Sequence, residues 1–205
     1  MRLFFVILKL MKILIIEGVP TSGKSSIIKN ISELLGEDQV RVYGEPETHI
    51  PIMDKAEGLH IEFFESLLQD AIESGADFVI FDRFHLTQAV RAKVSIGEYS
   101  EIEDLLAKQK TLVVYLQVDE STIADRIRLT AERRDKDPDE HFQWGEYFMT
   151  KGKTFDEIAN HYVTQQRNQM ELLKQSKLKG RIFNTTNHEY KVIANQIVNE
   201  WLNQT

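Results

Sequence analysis

Eight residues constrain this chain more than any other stretch. Gly18-Val19-Pro20-Thr21-Ser22-Gly23-Lys24-Ser25 fits GxxxxGK[ST] at every specified position. From average residue frequencies, an accidental match in a chain of 205 residues has a probability of about one per cent or less. Context lowers it further, because the segment follows the apolar run 12–17 (KILIIE) and opens a predicted helix from Lys24 to about Leu35. Its glycines let successive backbone N–H groups turn inward around phosphates, and the free donors at the helix start add positive potential. Lys24 is placed to reach β- and γ-phosphoryl oxygens, and the Ser25 hydroxyl to join a magnesium shell, with Ser26 closing the binding segment. ATP with Mg2+ is therefore the expected ligand.

Around that loop the chain alternates short apolar runs with longer amphipathic stretches, the pattern of βαβ units on a parallel sheet. Strands are predicted at 12–17, 40–43 (VRVY), 78–81 (FVIF), 111–118 (TLVVYLQV) and 181–183 (RIF). A helix over 59–74 would bury Leu59, Phe63, Leu67 and Ala71 on one face. Further helices are expected at about 84–94, 100–109, 121–133, 154–175 and 189–202, with a polar, proline-containing lid over about 134–146. The expectation is one α/β unit over residues 1–205, in which 1–10 form either an added strand or a segment upstream of a start at Met11.

Composition narrows the chemistry. With no cysteine, disulfides, thiolate metal sites and cysteine nucleophiles are excluded, and a reducing cytoplasmic setting is expected. A formal charge of −7 argues against a broad nucleic-acid footprint. The apolar run 3–8 (LFFVIL) is too short to span a bilayer and lacks a signal-peptide cleavage pattern, so no membrane partner is expected.

Several polar residues fall where the C-terminal ends of parallel strands place functional groups. Asp82 ends FVIF, so it is a candidate to hold a magnesium-bound water or orient an acceptor; its bland alternative is a helix N-cap. Arg83, pointing to the opposite side of the strand, is a candidate to pair with phosphoryl oxygens, or else a loop salt bridge. Glu45, before Pro46, is placed to accept the hydrogen bond and then the proton of an acceptor hydroxyl. Glu47 and His49 beside it do not make a metal site. The run 126–137 (RIRLTAERRDKD) concentrates Arg126, Arg128, Arg133, Arg134 and Lys136, and a lid that neutralises phosphate charge would draw its catalytic arginine from Arg133 or Arg134. Phe63, Phe64, Phe84, Phe142, Trp144, Tyr147 and Phe148 could line a base-sized pocket, although several must be core, and Asn184-Thr185-Thr186 falls where a loop would approach adenine.

Together, GVPTSGKS (18–25), Glu45-Pro46, Asp82-Arg83-Phe84 and the arginine run resemble the thymidylate kinase and deoxynucleoside kinase group of P-loop kinases, over roughly residues 12–202. The resemblance implies a three-layer fold with a five-stranded parallel sheet in the order 2-3-1-4-5, an arginine-rich lid, use of ATP and magnesium, and frequent homodimers. It also implies a glutamate near the acceptor sugar at Glu45 and an arginine near its 5′ end at Arg83. The chain departs from the group in Glu47-Thr48-His49, where thymidylate kinases carry two glycines and a threonine, and in Phe84, where they carry tyrosine. Deoxynucleoside kinases have Glu-Arg-Ser where this chain has Asp82-Arg83-Phe84. The acceptor stays open between a nucleoside, a nucleoside monophosphate and another metabolite such as an antibiotic. A regulatory ATPase or GTPase is the competing class, but no NKxD base-reading segment occurs.

Overall fold

In the computed structural model, which describes residues 10–52, 55, 58–136 and 144–203, helices flank both faces of a parallel sheet. The strands are β1 (Lys12–Glu17), β2 (Val40–Tyr43), β3 (Phe78–Asp82), β4 (Lys110–Gln117) and β5 (Lys179–Asn184), hydrogen-bonded in the order β2-β3-β1-β4-β5. The three central strands read as continuous apolar runs because both of their faces are covered. Pairing of Ile16 with Asp82 and of Glu17 with Tyr115 aligns the strand ends at one edge of the sheet.

On one face, α1 (Lys24–Leu35) and α9 (Tyr190–Leu202) bury Ile27, Ile31, Ile197 and Trp201 against Leu14, Ile16 and Val114. The other face is covered by α3 (Ile61–Glu73), α4 (His85–Ala92), α5 (Ser100–Ala107) and α8 (Phe155–Gln175). A third cluster joins α8 to α6 (Ile123–Arg134) and α7 (Trp144–Met149), with Val19 of the phosphate loop among its members. The loop is thus anchored by its own apolar residue to a cluster that includes α6, the helix carrying the arginine run. The short α2 (Glu45–Thr48) follows β2 directly.

The expected elements recur with small shifts. In α3 the fully buried stripe is Phe64, Leu68 and Ala71, one position on from the expected face, while Leu59, Phe63 and Leu67 are only partly buried at its flank. Adjacent apolar pairs at 63–64 and 67–68 made the periodicity compatible with either centre. Residues 120–122 form a 3-10 turn before α6, and β5 extends beyond the expected three residues. Part of the segment read as lid is α7, whose opening Trp144 and Gly145 N–H groups donate to the Asp135 carboxylate at 2.7 and 3.0 Å. Residues 1–9 and 137–143, the latter including Phe142 and much of the expected lid, lie outside the described residues. No described helix is long and apolar enough to cross a membrane.

Candidate functional site

The phosphate loop turns sharply between β1 and α1. Gly18 has φ 152°, and a Cβ there would stand 2.6 Å from Ser22 Oγ and 2.9 Å from the Leu116 carbonyl oxygen. Gly23 has φ 90°, and a Cβ would meet the Tyr190 ring at 2.3 Å, so only glycine admits this backbone and this packing. Lys24 is 6% exposed, and its ammonium donates to the Gly18 and Val19 carbonyls at 3.3 and 3.4 Å. Burial, and then the neighbouring Arg83, lower its pKa to about 8. Ser25, in the first turn of α1, is exposed, Ser26 is half-buried, and Pro20 and Thr21 line the cleft in front of the loop. Val19 and Ser22 are buried and hold the turn from behind.

The ends of β2 and β3 bring the acidic candidates to the same edge. Thr48 Oγ1 donates to the Asp82 carbonyl at 2.5 Å and so fixes α2 against β3. Arg83 Nε donates to Glu45 Oε1 at 2.6 Å, and Arg83 Nη1 to the Gly18 carbonyl at 2.9 Å. The pair is asymmetric, with the Arg83 side chain 6% exposed and that of Glu45 37%. The Arg83 guanidinium, opposed by burial, holds the Glu45 carboxyl down at about 2. Burial disfavours the Arg83 charge in turn, but Glu45 and Asp82 more than offset it and its pKa rises. Burial pushes the Asp82 pKa up, and its Oδ1 is a buried acceptor with no hydrogen-bond partner among the described residues.

One alternative reading and one expectation change here. Asp82 does not cap α4; the cap position is Phe84, and the acceptor for the Phe84 N–H is Glu17, at 2.9 Å. Arg83 does not continue strand alternation away from Asp82, because its φ of 67° turns the guanidinium back over the phosphate loop. Asp82 and Arg83 thereby both act electrostatically on Lys24.

The arginine run divides by exposure. Arg126 is buried, and its guanidinium donates to the carbonyls of Thr21, Thr185 and Thr186 at 2.9, 2.8 and 2.9 Å, tying the phosphate loop to the loop after β5. It is a clamp rather than a lid arginine. His188 extends the clamp, with Nε2 3.2 Å from Arg126 and Nδ1 2.7 Å from the Tyr190 hydroxyl. Arg128 pairs with Asp125 and Glu132 on the solvent side of α6. Arg133 and Arg134 both line the cleft, Arg133 exposed and Arg134 stacked 4.3 Å from the Trp144 ring centroid.

Lys24, Ser25, Glu45, Arg83, Arg126, Arg133 and Arg134 line one cleft of about 1530 Å3, whereas Asp82 is not among its lining residues. His49, Arg91, Lys151 and His161, which the motifs do not mark, line the same cleft. Arg91 Nη1 lies 3.3 Å from His49 Nδ1; burial, with Arg83 and Arg91 close by, lowers the His49 pKa to about 3. Burial and Arg91 lower that of Lys151, and burial and Lys151 that of His161. Of the aromatic candidates, Phe64, Phe84 and Phe148 are core, Phe63 packs against it, and Trp144 and Tyr147 line the cleft. Glu17 and the His188–Tyr190 pair could have been suspected only from their positions, a carboxylate ending an apolar strand and polar residues following the last one; Arg126 was marked by the arginine run, but not as a clamp.

No family model matches the chain, and no curated protein matches it. Solved structures do. The YorR protein from Bacillus subtilis, in complex with phosphorylated GDP, superposes with a TM-score of 0.60 at 21% identity, covering 92% of this chain and 94% of that one. Thymidylate kinase from Candida albicans gives 0.51 at 15% identity, over 93% and 91%. Deoxyadenosine kinase from M. mycoides with bound dCTP gives 0.51 at 18% identity, over 91% and 99%. The chain therefore has a three-layer α/β fold with the 2-3-1-4-5 sheet order of P-loop NTPases, shared with these structures, and the matches assign it to no single family.

Proposed function

We propose that this protein is a magnesium-dependent phosphotransferase that passes the γ-phosphoryl group of ATP to a nucleoside or nucleoside monophosphate. The observation that carries this reading is the Glu45–Arg83 pair, anchored on the first residue of the phosphate loop and sharing its cleft. A nucleotide switch needs the loop but not a charged second half, and about 1530 Å3 exceeds the roughly 300–1,000 Å3 typical of a single small-ligand site.

Magnesium fits the residues present. Ser25 offers a hydroxyl, and Asp82 offers the buried Oδ1 that lacks a partner among the described residues. Among those residues no three carboxylate or imidazole groups converge, so protein would supply few ligands and phosphates and waters the rest, as magnesium prefers. The ion would neutralise charge on the β- and γ-phosphoryl oxygens.

In the transfer, an acceptor oxygen attacks the γ-phosphorus in line as the bond to the β-phosphate bridging oxygen breaks and ADP leaves. Lys24 follows the migrating charge, and Arg133 or Arg134 screens it from the opposite wall. A monophosphate acceptor brings an anionic oxygen, and Arg83 offsets the repulsion. A nucleoside brings a hydroxyl whose proton must move to a carboxylate. Glu45, which lines the cleft, accepts that hydrogen bond and, late in the transfer, the proton; paired with Arg83 and held at about 2 it is a weak base, while Asp82 is kept for the magnesium shell.

The test is mass spectrometry after incubating the protein with magnesium-ATP and a panel of nucleosides and nucleoside monophosphates. A panel member gaining a single phosphoryl mass is expected. ATP hydrolysis with every acceptor unchanged would reject the reading in favour of an ATPase.

A further inference from the structure

The side chain that precedes the phosphate loop is spent on the turn opposite. Glu17 is fully buried at the end of β1. Its Oε1 accepts from the backbone N–H of Phe84 at 2.9 Å and of Thr87 at 3.3 Å, and its Oε2 accepts the Thr87 hydroxyl. These are free donors at the start of α4, and Glu17 satisfies them from another strand, a task the sequence offered to Asp82. Its neighbours hold the same turn, since the Ile16 carbonyl accepts from Arg83 N at 3.0 Å and the Gly18 carbonyl from Arg83 Nη1 at 2.9 Å. Three consecutive residues of β1 and the loop therefore grip Arg83, Phe84 and Thr87.

That grip has a strained residue to hold. Arg83 is a non-glycine residue at φ 67°, and such a conformation persists only where its surroundings over-determine it. The hold continues outward: Gln169 Nε2 of α8 donates to Thr87 Oγ1 at 2.9 Å, and the Tyr115 hydroxyl of β4 donates to Gln169 Oε1 at 3.1 Å. Because Thr87 Oγ1 already receives the Gln169 proton, its own hydrogen goes to Glu17. Burial raises the Glu17 pKa on balance, partly offset by the donors from Thr87 and Phe84 and by His85 and Arg83 nearby.

We propose that Glu17 is a positioning residue, which through Phe84 and Thr87 holds Arg83 in the left-handed conformation that sets its guanidinium between Glu45 and Gly18. This rests on the phosphotransferase reading for its kinetic consequence, but not for its structural one. Glu17→Gln tests it with little change of shape. The carboxamide would place an N–H donor where Oε2 accepts, against a Thr87 hydroxyl that already receives one. Thr87→Val is the second variant, removing the hydroxyl at nearly constant volume and leaving Glu17 in place.

Two readouts separate the proposal from the function. In the first, NMR follows the Arg83 Nε–H of the unliganded protein, which in the wild type is protected by its bond to Glu45. Its exchange should accelerate by about tenfold or more in Glu17→Gln and Thr87→Val, while amide protection across β1 and β4 stays as in the wild type. In the second, kcat should fall by about 10- to 100-fold with the ATP KM within about twofold, as expected of a misplaced group rather than a lost binding contact. In an Arg83→Ala background the same Glu17→Gln change should cost less than about twofold, because its route of action is gone. Wild-type Arg83 exchange in both variants would overturn the proposal, as would an undiminished Glu17→Gln effect on kcat without Arg83. If the wild type transferred no phosphoryl group, the functional reading would fail, and the exchange measurement would still decide this one.

Discussion

Replacing Lys24 with methionine should destroy phosphoryl transfer and yet make the unliganded protein more stable at neutral pH. The ammonium is buried beside Arg83, and its pKa falls from the ordinary 10.5 to about 8. That gap corresponds to about 3 kcal/mol of destabilisation of the charged form. Below pH 8 the lysine is charged in both folded and unfolded chains, so the folded state carries the whole penalty. Between pH 8 and 10.5 the folded protein has released a proton that the unfolded chain still binds, so wild-type stability rises with pH and the penalty fades. Methionine fills nearly the same volume without charge. It forfeits two long hydrogen bonds to the Gly18 and Val19 carbonyls, worth about 1 kcal/mol together at 3.3 and 3.4 Å. The net expectation is a gain of about 2 kcal/mol at pH 7, shrinking to within about 0.5 kcal/mol of zero at pH 10. Urea unfolding of both proteins without nucleotide, compared through midpoints at equal m-values, measures it. Transfer should fall by about 10³-fold or more in the same variant. A Lys24→Met protein less stable than wild type at pH 7, or a gain that does not diminish by pH 10, would refute the electrostatic argument.

Three further outcomes are expected. Glu45→Gln should lower turnover at least about tenfold and stability by about 1–2 kcal/mol in urea melts, less than for a fully buried pair because Glu45 keeps over a third of its side chain in water. Since the folded pKa of His49, about 3, lies below its ordinary 6.5, stability is lost as pH falls from 6.5 towards 3; unfolding midpoints should show His49→Gln flattening that limb by about 1 kcal/mol per pH unit while leaving pH 8 unchanged. Arg126→Ala, losing a buried clamp on three carbonyls, should cost about 2–3 kcal/mol and raise the ATP KM, whereas Arg133→Ala should leave stability within about 0.5 kcal/mol and reduce kcat about tenfold or more, as thermal melts and steady-state kinetics will distinguish.

The fold was legible because its signals are local and repeated. KILIIE, FVIF and TLVVYLQV read as buried parallel strands by their unbroken apolar runs, and the sheet holds them side by side as β3, β1 and β4. Helix α7 escaped because its six residues are too few to show a period, and its start is fixed by Asp135, nine positions back. The placement of the candidate residues was legible where a motif fixes backbone geometry, as at Gly18 and Gly23, and where a strand end brings a side chain to the cleft, as at Glu45; Asp82 ends β3 as read but does not line that cleft. It was not legible for His49, Arg91, Lys151 and His161, which reach one cleft from α4, α8 and the turns after α2 and α7 with no common spacing.

By itself the sequence determined a GxxxxGK[ST] turn between a buried strand and a helix, because that pattern needs only eight adjacent residues. It also determined the alternation that makes a doubly covered parallel sheet, because hydrophobic period is a property of neighbours. Only the tertiary structure decided which carboxylate does which work. Glu17, Glu45 and Asp82 are equivalent in composition and all stand at strand ends or just beyond. Packing buries Glu17 under the α4 turn, sets Glu45 against a guanidinium and leaves Asp82 Oδ1 without a partner among the described residues. The fates of Glu17 and Glu45 depend on partners 38 to 70 positions away in the chain, brought within hydrogen-bond distance by a sheet order no local signal encodes.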